Sequence, residues 1–330
     1  MRSSISLSLL LLVFSVIGCE EPFSPKVALN DEYVLQCFVE GDFGRVVTPV
    51  NLLLAKVYDV EGLNPWLNTN DPSVLGAEVS FSINEKAYSL AMAVRPSKDS
   101  TRYGPEERYY VARIPKPEPY NVLTVVAKLP TGKVLRAQTT VPKARAFNSS
   151  YPFARGITTG VNLPPGTRDW TIDWEDYEPT EGHLFFPRLM IGYTKSVGDA
   201  EQGYTITVPA RYIQSKDGPV PVYHTYSTQK FCSFDFPAID SAMASISADD
   251  PKKISYAVSS ALLEVIEFDA PLSKYFSSMG GSLDPFSIRV NQTVYSNING
   301  GTGIFGSYFT NKAYFDFNPD YVRSFGYRYR

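Results

Sequence analysis

The chain has little of what most enzymes and nucleic-acid-binding proteins are built on. Its 330 residues include two histidines, His183 and His224, and three cysteines, Cys19, Cys37 and Cys232. Neither histidine sits in a cluster with metal-like or triad-like spacing, and a nucleophilic cysteine needs a neighbouring base, so metal and thiol chemistry have little support and no cofactor is expected. Lysine and arginine are scattered and the net charge is −3, which leaves no basic footprint and excludes nucleic acid as an expected partner. Long apolar runs are absent except for Ile5 to Ile17, which is too short to span a bilayer comfortably. What the chain does have is aromatic side chains, 22 tyrosines and 20 phenylalanines, with 25 prolines and 22 glycines for turns. This is the composition of a globular exported protein with ample material for a core.

Arg2 followed by the apolar run reads as a secretory signal. The run ends Val16-Ile17-Gly18-Cys19, which resembles the lipobox of bacterial lipoproteins: a β-branched residue, a free position, a small residue, then the cysteine that is acylated and becomes the mature N-terminus. The resemblance implies a signal peptide over residues 1–18, lipidation at Cys19, and a lipidated tether over residues 19–32, where Pro22-Phe23-Ser24-Pro25 has no periodicity. Each buried methylene of the acyl chains contributes about 0.8 kcal/mol to holding such a protein at a membrane. Glu20 and Glu21 resemble the export signal that carries lipoproteins of the Bacteroidota to the outer face of the outer membrane. Cys37 and Cys232 would then lie in an oxidising compartment and a disulfide between them stays open, although Cys37 shares an alternating face with Leu35 and Val39, as a buried thiol does.

From Tyr33 to Val141 short β-like runs alternate with turns. YVLQCFVEG and VVTPVNLLLAKVYDV meet around Asp42-Phe43-Gly44, a plausible hairpin connection. Val79, Phe81 and Ile83 alternate with serines, and Pro130-Thr131-Gly132 marks a turn between two further runs. The expected fold is mainly β: an immunoglobulin-like or transthyretin-like β-sandwich of about seven strands over residues 33–147, followed by a second β-rich domain over residues 148–330. In that second part Trp170, Ile172 and Trp174 alternate with Thr171 and Asp173, SALLEVIEF is the most apolar strand candidate, and Pro187 and Pro209 suggest edges or bulges. Between Phe236 and Ala248 only a weak helical pattern is present. One short helix is well marked: Leu272, Tyr275, Phe276 and Met279 recur at helical spacing, after Pro271 and before Gly280.

The stretch NINGGTGIFGSYF, from Asn297 to Phe309, lacks the Lys-Ser/Thr pair and the following helix of a phosphate loop, and strand-like runs flank it. Its glycines are expected to shape a turn that closes the second domain. The segment from Ser260 to Tyr308 resembles the C-terminal signature of a family of Bacteroidota outer-membrane lipoproteins of unknown function, with Asn297, Ile298, Gly301, Gly303, Phe305 and Gly306 at the matching positions. Val39-Glu40-Gly41 and Gly76-Ala77-Glu78-Val79 match the same family earlier in the chain, whereas Cys37 and the tail from Asn311 to Arg330 depart from it. The resemblance implies an accessory lipoprotein on the cell surface that assists a TonB-dependent receptor, and it brings no catalytic residues. If these positions meet a ligand or partner, the contacts are Asn297, Gly301, Gly303 and Phe305, joined by Tyr327 and Tyr329 from a tail where Phe325, Tyr327 and Tyr329 alternate as in a closing strand. Two rivals stand beside that reading. A surface hydrolase would draw on Asp173 with Glu175 or Asp176, with no accompanying motif, and an adhesive or structural module needs only a rigid β scaffold.

Overall fold

The structure, a computed structural model, describes residues 32–41, 46–57, 70–97, 104–149, 168–174, 182–198, 200–248, 250–279 and 295–330. Cys19 and its flanking tether, the Asp42-Phe43-Gly44 connection, and Glu175 and Asp176 lie outside these residues. The protein is mainly β, with a large mixed sheet and, among the described residues, three α-helices.

The first part is formed by β1 (Tyr33–Gly41), β2 (Val47–Lys56), β3 (Glu78–Ile83), β4 (Lys86–Pro96), β5 (Glu106–Pro115), β6 (Val122–Lys128) and β7 (Val134–Thr140). β4 serves two layers in turn. Lys86 to Leu90 pair with β3, and Ala91 to Pro96 pair with β5, so one strand carries the chain from one face of the sandwich to the other. Period-2 alternation in β1, β3, β6 and β7 turns Leu35, Cys37, Val39, Phe81, Leu123, Val125 and Leu135 into one buried cluster.

The second part contains β8 (Asn148–Ser149), β9 (Asp169–Asp173), β10 (Phe185–Val197), β11 (Ala200–Val208), β12 (Arg211–Ser215), β13 (Gly218–Val222) and β14 (Phe231–Asp235). Then follow α1 (Phe236–Ser245), β15 (Tyr256–Phe268), α2 (Ala270–Met279), β16 (Thr302–Asp316), α3 (Pro319–Ser324) and β17 (Arg328–Tyr329). Its core gathers Trp170, Trp174, Phe185, Phe234, Met243, Leu263 and Phe317. Phe147, where the boundary between the two parts is expected, packs edge-on against Trp174 at 6.3 Å between ring centres. At Pro187 the strand β10 has β15 on one side only, because its pairing with β11 begins at Leu189, so the missing N–H costs no ladder bond there.

β16 joins the two parts. Its first half runs parallel to β1, from Val34↔Thr302 to Gly41↔Phe309, and its second half runs antiparallel to β15, from Phe268↔Tyr308 to Ser260↔Asp316. The strand order β11-β10-β15-β16-β1-β2-β5-β4-β3-β6-β7 is therefore continuous through the molecule.

Two expectations change. Among the described residues three helices stand where one is expected, and α1 forms where the pattern looks weak: Phe236, Ala238, Ile239, Ala242 and Met243 are buried, but Asp235 at its N-terminus makes no side-chain cap. The tail does not form an alternating aromatic strand. Asn318 accepts a hydrogen bond from the Asp320 N–H at 2.8 Å and Pro319 occupies the first turn, so α3 forms and only Arg328–Tyr329 remain as strand.

Candidate functional site

The glycine-rich stretch is a packing device, and it closes the first sandwich rather than the second part. Asn299 exchanges both backbone hydrogen bonds with Arg136 of β7, at 2.8 and 3.0 Å, and the chain then crosses to lie beside β1. A Cβ at Gly300 would lie 2.3 Å from the Val134 carbonyl oxygen, at Gly301 2.6 Å from that of Tyr33, and at Gly303 2.1 Å from that of Leu35. Gly303 also has φ +113°, which L side chains rarely adopt. At Gly306 the same atom would meet Leu272 of α2 at 2.4 Å. Backbones approach here because nothing larger than hydrogen fits.

The other residues expected to touch a ligand or partner are similarly placed. Asn297 clamps its own loop, its Nδ2 donating to the Phe305 carbonyl at 2.7 Å and its Oδ1 accepting the Phe305 N–H at 2.9 Å. Phe305 is fully buried and meets Phe81 of the opposite layer edge-on, 6.1 Å between ring centres. Tyr327 is buried, with its hydroxyl donating to the Met243 carbonyl at 2.9 Å. Tyr329 is the only one of these side chains with a third of its surface exposed. Both thiols among the described residues are buried and unpaired, Cys37 in the first core and Cys232 in the second.

The polar chemistry of the molecule lies instead where β7, β15 and β16 meet. Glu267 near the end of β15 has no exposed surface, and Arg145 grips it with two hydrogen bonds of 2.6 Å, Nε to Oε2 and Nη2 to Oε1. His183 Nδ1 lies 2.8 Å from Glu267 Oε1. Burial pushes the Glu267 carboxyl upward, but the His183 and Arg145 hydrogen bonds outweigh it and hold the group below the usual carboxylate range. An ionised carboxylate only accepts, so Nδ1 of His183 carries the proton. The Arg145 N–H in turn donates to Asn311 Oδ1 of β16 at 2.6 Å.

Two residues on, Asp269 accepts from the Leu272 N–H at 2.8 Å, capping α2, from the Ser307 hydroxyl at 3.0 Å and backbone N–H, and from the Thr139 hydroxyl. Burial lifts its pKa above the ordinary value even against these donors. A cleft of about 410 Å³ opens beside the two carboxylates, lined also by Tyr120, Gln138, Thr140 and His183. His183 is 19% exposed there. Its orientation by Glu267 gives it the setting of a general base, yet among the described residues no hydroxyl or thiol bonds to its ring, and no group of three or more His, Cys, Asp or Glu is placed to hold a metal. The knot holds two parts of the chain together: Thr139 and Arg145 come from the first, and His183, Glu267, Asp269 and Ser307 from the second.

Sequence reasoning passed over this knot. The available signal was Glu264 and Glu267 inside the apolar SALLEVIEF, since an acid in a buried strand must find a partner. No family model matches the chain, and no curated protein matches it.

Proposed function

We propose that the protein is a non-enzymatic lipoprotein of the outer membrane, anchored through Cys19 and exposed at the cell surface, that binds or docks to a TonB-dependent receptor as an accessory in nutrient uptake. The observation that carries this reading is Val16-Ile17-Gly18-Cys19 at the end of a short apolar run, followed at once by two glutamates. The family resemblance of the segment from Ser260 to Tyr308 supports the receptor as the partner.

The exposed surface is compatible with docking. β12 and β13 form a two-stranded sheet outside the main one, and Tyr212, Ile213 and Val220 on it are each more than a third exposed. Ile213 sits opposite Val220, and Tyr212 opposite Pro221, so apolar side chains emerge on both faces of the hairpin. A hairpin of this size is marginal in water by itself, and a partner surface would cover it.

Anchoring is tested by labelling cells with a palmitate analogue. The protein is expected to take up label and sediment with outer membranes, and the Cys19→Ser variant to lose both properties. Unchanged membrane association of the variant, or absence of label in the natural chain, would overturn the anchor.

A further inference from the structure

A second cleft, of about 320 Å³, lies where the β12–β13 hairpin meets the β9–β14 pair. At its rim stand Tyr223 and Phe231, with 50% and 46% of their surface exposed. Asp169, Arg211, Gln229 and Asp235 are among its polar lining groups, beside Thr225, Ser233 and His224. Asp169 and Asp235 face each other directly across β9 and β14. Like charges in that position cost stability.

Among the described residues Tyr223 and Phe231 stack on no other ring, and the side chains of Asp169, Arg211, Gln229 and Asp235 have no hydrogen-bond or ion-pair partner, although Arg211 acts on His224 through its charge. Asp235 is the sharpest case. It occupies the cap position of α1, where a carboxylate normally accepts a backbone N–H, and its side chain does not do so. His224, on the same wall, is spent: its Nε2 bonds to the Ser233 carbonyl oxygen at 3.0 Å, and burial first, with Arg211 adding to it, holds its pKa below the ordinary value, so the ring stays neutral.

The chemistry of the occupant follows from this set. Two flat apolar rings demand an apolar face, and burying them against a purely apolar ligand would strand the carboxylates, the amide and the guanidinium without partners. A phosphate or sulfate is opposed by the two carboxylates. A sugar ring satisfies both demands, since its C–H face lies on aromatic side chains, its hydroxyls donate to Asp169 and Asp235, and its oxygens accept from Arg211 and Gln229. The volume falls at the small end of the roughly 300–1,000 Å³ range of small-molecule sites.

We infer that the cleft between the β12–β13 hairpin and the β9–β14 pair binds a neutral sugar ring of a glycan. This deepens the receptor-accessory reading by naming a class of cargo, and it rests on that reading only for the use made of the binding.

The test is calorimetric titration of the purified mature chain, kept in a detergent without a sugar headgroup, with neutral trisaccharides of glucose, mannose, xylose and N-acetylglucosamine. At least one is expected to bind with a sub-millimolar Kd. Tyr223→Ala and Phe231→Ala should each weaken that binding about tenfold or more, and Asp235→Asn should weaken it while leaving the circular dichroism spectrum unchanged and without lowering Tm, since it relieves the charge repulsion with Asp169. Absence of heat with every trisaccharide, or binding that survives loss of both rings, would overturn the inference. Because the isolated chain is used, failure here leaves the receptor reading standing, and absence of a receptor in the membrane would leave this binding intact.

Discussion

At the scale of single residues, Glu267 is where the molecule has most to lose. Its side chain and that of Arg145 are 0% and 1% exposed, so removing one partner strands the other in a medium that cannot solvate it. Glu267→Gln is expected to cost about 3–5 kcal/mol in urea unfolding, whereas replacing both residues with apolar ones of similar size should cost less than the single change. The two carboxylates of the knot respond to pH with opposite signs. Glu267 has its pKa lowered on folding by His183 and Arg145, so its contribution is present above the unfolded value and is lost as acid protonates it. Asp269 is raised by burial, so the folded state holds its proton more tightly and its contribution is lost as pH rises through the raised value. The stability of Asp269→Asn relative to the natural chain should therefore improve as pH climbs from about 4 to about 7. A flat difference across that range would contradict the assignment. The thiols give a simpler test. Burial pushes Cys37 up to about 12 and Cys232 up as well, so neither should react with a disulfide reagent at neutral pH until the chain is denatured.

At the scale of elements, β16 is the piece both cores share. Its Phe305 and Phe309 belong to the first core, while Phe315 packs on the second. A fragment ending before Asn297 lacks this strand and leaves Leu35, Cys37 and Val39 without their neighbour, so it should fail to fold by circular dichroism and recover order when a peptide spanning Asn297 to Phe317 is added. The glycines set how closely that strand can approach. Gly303→Ala is expected to cost more than about 4 kcal/mol or prevent folding, while Gly192→Ala, with nothing within 4 Å of the new methyl group, should be tolerated. Much of this was legible in the chain. The alternation of Val79, Phe81 and Ile83, the Trp170-Ile172-Trp174 face and the helix ending at Met279 could all be read from periodicity and turn residues, because each element buries its own face. What could not be read is non-local. β16 first lies beside a strand some 270 positions earlier in the sequence, a parallel pairing that carries no local mark, and only then runs along β15. The same limit hid the knot: Arg145 and Glu267 are 122 residues apart, and each alone reads as an ordinary charge. In the tail, α3 starts at Asn318-Pro319-Asp320, where the Asn318 side chain accepts the Asp320 N–H, so aromatic alternation alone misleads there.

At the scale of the whole molecule, a continuous sheet runs through both parts, its ends at β11 and β7. The β12–β13 hairpin presents Tyr212, Ile213 and Val220 to solvent, while the glycine-rich signature packs against β1, β7 and α2. Surface recognition is thus expected from the hairpin side, and substitutions at Asn297, Gly301 or Phe305 should act on folding yield before they act on any partner. The measurement that decides most is recovery of the intact chain from gently solubilised cell membranes, with mass spectrometry of what stays bound. A TonB-dependent receptor in stoichiometric amount, lost when Tyr212 and Ile213 are both changed to serine, is the predicted result. A protein that comes out alone, or that keeps its receptor without these side chains, would contradict it.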